Sequence, residues 1–222
     1  MSASFPRTAR LFRTAAPLAL LIVSTSVAGP AQAQPMDFVE GSESGVTLYG
    51  GYRGGTNLTD ATTEQDVRVG STGTFGFALD IAYEPLKQVQ IFYSRQNTDL
   101  SSDALPGATK SIPLRIEYFH LGGTAFFKKM SDGGYAVGGI GATLFTPNGP
   151  ELTTETKPSI NFGFGYMFPL GRSLGVRFEA RAYATLINST GGFLCKNSSC
   201  VVSIKGDALY QGEALIGLTG RF

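Results

Sequence analysis

The chain has 222 residues, enough for one domain, with 18 basic and 17 acidic residues and a formal net charge of +1, a balance that leaves no electrostatic footprint for nucleic acid. Glycine is abundant at 29 residues and aromatics make up 11%, while Lys and Glu at helical i,i+4 spacing are scarce, so the composition is all-β and speaks against a helical bundle.

Arg7, Arg10 and Arg13 precede an apolar run from Ala15 through Leu18, Leu20, Leu21, Ile22 and Val23, and Ala31-Gln32-Ala33 fits the small-x-small site cut by signal peptidase. The apolar core is about a dozen residues, short of the roughly 20 that a spanning helix needs. Residues 1–33 are therefore expected to be a signal peptide and residues 34–222 the mature domain. Removing the three arginines from the 18 basic residues leaves 15 against 17 acidic ones. Beyond Val27 no unbroken apolar run approaches the ~18 residues of a membrane helix, so the mature chain can enter a membrane only as strands.

Period-two alternation predicts eight strands, each near the roughly 9 to 11 residues that cross a bilayer when tilted. The first, 45–53, carries Val46, Leu48 and Tyr52 on one face. In the second, 73–84, Phe75, Phe77, Leu79, Ile81 and Tyr83 alternate with Gly76, Ala78, Asp80, Ala82 and Glu84. After a turn at Pro85, Val89, Ile91 and Tyr93 oppose Gln88, Gln90 and Ser94. The fourth, 113–127, sets Leu114, Ile116 and Tyr118 against Arg115 and Glu117; unbroken alternation would put His120 on the apolar face, so a bulge is expected there. The fifth, 134–145, is too glycine-rich to show its facing. Ile160, Phe162, Phe164, Tyr166 and Phe168 mark the sixth strand, and Leu174, Val176, Phe178, Ala180, Ala182 and Ala184 the seventh, opposite Arg177, Glu179 and Arg181. The turn at Pro169-Leu170-Gly171-Arg172 makes this pair a hairpin. The last strand, 209–222, puts Ala214, Ile216, Leu218 and Phe222 opposite Glu213, Leu215, Gly217, Thr219 and Arg221.

Connections alternate between long polar ones, at 54–72, 96–112, 146–157 and 187–208, and short ones near Glu84, at 128–133 and near Pro169. In up-and-down order all long loops fall at one end, with both termini at the other. A soluble sandwich also alternates, so the polar face decides. It carries many glycines and alanines with charges of both signs, which suits a crowded interior rather than bulk water. The apolar face of the clear strands has no charge, as a lipid-facing wall requires, since Arg or Lys at the midplane costs about 2 to 4 kcal/mol there. Tyr83, Tyr93, Tyr166, Phe168 and Phe222 lie near strand ends, where rings form an interfacial girdle. The expected fold is an all-β, closed, antiparallel, up-and-down transmembrane barrel of about eight strands.

With its export signal, eight amphipathic strands, alternating loops and a C-terminal Phe222 in register with Leu218 and Ile216, the chain resembles the OmpA/OmpX-type small barrels of the bacterial outer membrane and, more generally, the outer-membrane β-barrel domain family. The resemblance covers nearly all of the mature chain and is one of pattern rather than motif. It implies residence in the outer membrane, contact with its lipids, and recognition of Phe222 by the barrel assembly machinery; Gly220 departs from the bulkier apolar residue usual before the terminal aromatic. No peptidoglycan-binding domain is expected after the barrel, so the resemblance does not imply the anchoring role of two-domain relatives.

Candidate chemistry is sparse. Asp80, Arg115, Glu117, Arg177, Glu179, Arg181, Glu213 and Arg221 are expected in the lumen, either as a salt-bridged plug or as the lining of a small solute path; a narrow lumen and the need of desolvated charges for partners favour the plug. His120, the sole histidine, lacks the serine two residues on that a deacylase-type site would carry, having Gly122 there, so no catalytic role is expected. Neither Tyr49-Gly50-Gly51-Tyr52-Arg53-Gly54-Gly55 nor Gly138-Gly139-Ile140-Gly141 is a phosphate loop, and no cofactor or metal is expected. Cys195 and Cys200, without accompanying ligands, suit a local disulfide in the last long loop. The expected role is that of a non-enzymatic barrel whose loops meet an extracellular or host-surface ligand or support the envelope; a narrow porin-like channel is the alternative, and a lipid-modifying enzyme is third.

Overall fold

The computed structural model describes residues 43–60, 66–102, 111–148, 153–187, 192–196, 199–205 and 208–222, with the backbone alone at 56–60, 102, 192–196 and 199–205. The expected signal peptide lies outside the described residues.

The strands are β1 (Gly45–Arg53), β2 (Thr56–Asp60), β3 (Asp66–Val69), β4 (Thr72–Glu84), β5 (Lys87–Ser102), β6 (Ser111–Phe126), β7 (Gly133–Pro147), β8 (Glu155–Pro169), β9 (Leu174–Leu186), β10 (Gly192–Lys196), β11 (Ser199–Lys205) and β12 (Ala208–Arg221). Eight of them, in the order β1, β4, β5, β6, β7, β8, β9 and β12, pair antiparallel with sequential neighbours, and β12 returns to β1. This is the expected closed up-and-down barrel. Short strands fill two of the long connections: β2 and β3 lie between β1 and β4, and β10 and β11 between β9 and β12.

A hydrogen-bonded row shows how the barrel closes. Starting at Val46 it runs through Leu79, Ile91, Leu121, Ile140, Ile160 and Ala184 to Tyr210, yet Val46 itself pairs with Gly220, a stagger of ten residues. For eight strands such a stagger demands a strong tilt, within the roughly 35 to 45° of barrels that span a membrane.

Over most of the barrel the rings and aliphatic chains point out. Leu48, Phe75, Leu121, Ile140, Phe162, Phe164, Phe178, Ile216 and Leu218 are all around half exposed or more. An apolar exterior of this breadth is far larger than a water-exposed surface tolerates, and it is uncharged, so it faces lipid. Tyr166 and Phe168 lie toward the turn end of this band and Tyr52 and Tyr93 toward its loop end, as a girdle requires.

The first half of β6 reverses the expected facing. Leu114, Ile116 and Tyr118 are buried inside, and Arg115 and Glu117 point outward. Nor is there a bulge at His120: pairing to both neighbours runs unbroken from Leu114 to Ala125, and His120 is inward at 1% exposure. The one shift on β4 and β5 falls between Ala82 and Glu84. The reason is length. β5 and β6 each have 16 residues, whereas a bilayer occupies about 9 to 11 of a tilted strand. The remainder projects into water, where the ordinary rule of apolar inside and charged outside applies. There Val67, Val69, Leu100, Leu114, Ile116, Phe145, Ile187 and Leu209 make an internal apolar core. On β7, whose facing the sequence left open, Tyr135, Val137, Thr143 and Phe145 turn inward and Ile140 outward.

Candidate functional site

Below the apolar core the interior is filled with charge and rings. β4 brings Asp80, β9 brings Arg177, Glu179 and Arg181, and β12 brings Glu213; all are at most 5% exposed. Arg53, at the end of β1 and fully buried, completes the set. It closes the expected strand 45–53, one residue beyond Tyr52 and so on the opposite face, which was the available signal in the sequence.

Three arginines thus meet three carboxylates. Arg177 Nη1 lies 2.8 Å from Asp80, Arg53 Nη2 lies 3.0 Å from Glu213, and Arg181 Nε donates to Glu179. Neutral partners take up much of the remaining capacity, while Arg53 Nε and Nη1 are buried without a hydrogen-bond partner among the described residues. Gln90 donates to Asp80 at 2.7 Å and accepts from Arg181 at 2.7 Å, joining two of the pairs. Glu179 also accepts from Tyr135 at 2.8 Å and Tyr49 at 3.3 Å, and Glu213 from Ser94 at 2.9 Å and from Tyr183. Rings cover the cations: Arg181 sits 3.7 Å above Phe92, and Arg53 4.5 Å above Tyr118, which stacks on Tyr183 at 4.2 Å. Such contacts are worth most where water is excluded.

Glycine makes room for this filling. A Cβ on Gly165 would stand 2.3 Å from Tyr135 Cζ, and one on Gly217 would stand 2.7 Å from the Tyr49 ring. Both tyrosines are therefore seated by a neighbouring strand that lacks a side chain where the ring lies.

Other sequence expectations fall elsewhere. Arg115 and Glu117 are outside the barrel wall and take no part in the interior network; Glu117 accepts from Tyr93 at 2.6 Å. Arg221 is at the turn end, where it bonds Glu43 at 2.8 Å and the carbonyls of Gly171 and Leu174, tying the segments just before β1 and at the end of β12 to the β8–β9 turn rather than joining the network. Phe222 projects outward at 77% exposure, its backbone bonded to Ser44 in both directions. Cys195 and Cys200 are directly opposite in the β10–β11 register, and their side chains lie outside the described residues.

His120 has a partner that sequence spacing did not offer. Its Nε2 is 3.0 Å from Ser159 Oγ on β8, two strands away across the lumen wall, while Nδ1 has no partner. Both residues are buried inside. A histidine that polarises a serine needs a third group to orient it and a route for substrate; here the ring is stacked against Tyr118 at 5.5 Å instead. Among the described residues no group of three His, Cys, Asp or Glu side chains could hold a metal.

No protein-family model matches the chain, and no curated protein does. Solved structures do. The outer membrane protein OprG from Pseudomonas aeruginosa superposes with a TM-score of 0.51 at 10% identity, over 81% of this chain and 96% of that one. Neisserial surface protein A gives 0.47 at 12% identity, over 81% and 97%. At such identities the likeness is one of fold. The chain is an eight-stranded barrel with the architecture of small outer-membrane proteins and the lipid-facing exterior that goes with it.

Proposed function

We propose that this chain is a bacterial outer-membrane protein whose barrel is a filled anchor, and that its work is done by the loop-bearing end, in envelope integrity or in contact with an extracellular or host surface. The observation that carries this is the interior: three buried ion pairs, cross-linked by Gln90 and roofed by an apolar core, occupy the cross-section through which a solute would pass. An eight-stranded lumen is only wide enough for side chains. Opening it would strand charges in a low-dielectric interior.

Planar-bilayer conductance of the refolded protein tests this directly. A filled anchor gives a silent bilayer, and sustained discrete openings would replace it with the narrow-channel alternative. A non-enzymatic role is supported by the inward burial of His120 and Ser159, out of reach of lipid, and lipid A mass spectra are expected to be the same with and without expression. Phe222, unshielded at the turn-end rim, is where we expect the assembly machinery to engage.

A further inference from the structure

The outward face of the β5–β6 wall changes chemistry in a single step. Tyr93 pairs with Phe119, the next outward pair is Arg95 with Glu117, and the next is Asn97 with Arg115. All six lie on the side of Ile91 and Leu121, so the change marks the loop-side edge of the lipid band. At the same end of the other walls the outward residues are Ile160 and Pro158 on β8, Ala184 and Leu186 on β9, and Gly212 and Tyr210 on β12, none of them charged.

The two arginines are underused. Arg115 forms no ion pair with a described residue, and its Nε is buried without a partner. Among the described residues Arg95 reaches only the side-chain oxygen of Asn97, at 3.3 Å. The intervening acid, Glu117, is held by Tyr93. Beside Arg115 the wall opens into a cleft of about 420 Å³, lined by Asn97, Asp99, Pro113, Thr146 and Asn148. Further out, Arg68 and Asp66 of β3 carry opposite charges on an exposed face.

We propose that this shelf binds a phosphorylated glycolipid of the outer leaflet, with Arg95 and Arg115 on its phosphate and the polar cleft holding the adjoining sugar. An arginine on a barrel's lipid face costs several kcal/mol at mid-bilayer but nearly nothing at the boundary, and its planar fork matches phosphate oxygens two at a time. A glycolipid suits the site better than a protein partner because one molecule then satisfies both chemistries: acyl chains lie on Tyr93, Phe119 and Leu121 while the headgroup meets the arginines directly above. Asp99 and Asn97 supply acceptors for sugar hydroxyls.

The inference rests on the outer-membrane assignment, and the two can be told apart. Full-length mature protein is refolded in detergent, and folding is read from heat-modifiable migration on a gel. Binding of bisphosphorylated lipid A and of its dephosphorylated form is then measured by native mass spectrometry for the wild type, for Arg95→Gln/Arg115→Gln, and for a turn-end control, Lys128→Gln/Arg172→Gln. Loss of two charge-assisted contacts predicts affinity weaker by about tenfold or more in the first variant, a comparable loss for the wild type with dephosphorylated lipid, and no change in the control. Equal binding by the folded double variant, equal binding of both lipid forms, or an equal loss in the control overturns the shelf while leaving the barrel standing. The two lipid forms compared on wild type decide the matter if the variant does not fold. A wild type without heat-modifiable migration would remove the outer-membrane assignment, and the shelf with it.

Discussion

The bilayer-level part of the barrel and its loop-side extension are built on the same strands but sort their residues in opposite ways. At the level of Leu121 and Ile140 the rings and aliphatics are outside and Asp80, Gln90 and Arg181 inside. A few residues along β6, Arg115 and Glu117 are outside and Leu114 and Ile116 inside. The backbone pairing is continuous through the change. What alters is the medium beyond the wall: apolar residues go to lipid where lipid is available and to the interior where the alternative is water.

The largest test of this contrast is on the bilayer-level interior. Arg177→Met leaves Asp80 buried without its cation and is expected to cost about 3 to 5 kcal/mol in urea unfolding from lipid vesicles, because an uncompensated buried charge is the expensive outcome. Asp80→Asn combined with Arg177→Met should recover much of that loss. The contrast itself is probed by moving one charge along the outer wall. Leu121→Arg should cost about 2 to 4 kcal/mol, and Asn97→Arg, on the extension, about 1 kcal/mol or less; equal penalties would mean that both levels meet the same medium.

Smaller effects follow in packing. Gly165→Ala places a methyl against Tyr135 and is expected to destabilise by about 1 to 3 kcal/mol, a loss that Tyr135→Ala should relieve in part in the double variant, read from the same unfolding curves. His120→Ala removes one bond to Ser159 and is expected to cost about 1 kcal/mol, with no change in lipid A mass spectra. Altered lipid A on that substitution would count against the non-enzymatic role.

Much of this was readable in the sequence. β1, β4, β8, β9 and β12 follow the alternation of Val46 to Tyr52, Phe75 to Tyr83, Ile160 to Phe168, Leu174 to Ala184 and Ala214 to Leu218 because their apolar residues meet lipid along nearly the whole of the written pattern. β6 departs from the expectation for a physical reason. Its amino-terminal third has the same period with the opposite facing, and a period of two carries no sign: Leu114 and Ile116 look the same whether lipid or an internal core receives them. The bulge expected at His120 is absent because one continuous strand faces two media. The pairing of Arg53 with Glu213, 160 residues away, is not legible in either strand alone.

By itself the sequence determined the period, the number of barrel strands, the side on which the long loops lie, and an interior carrying Asp80, Arg177, Glu179, Arg181 and Glu213. These are local consequences of side-chain alternation and turn chemistry. Only the tertiary structure decided the ten-residue stagger, the matching of Arg53 to Glu213 and His120 to Ser159, and the height at which Arg115 and Glu117 leave the lipid. Those depend on which residues closure of the ring sets at the same level, and no strand contains that information alone.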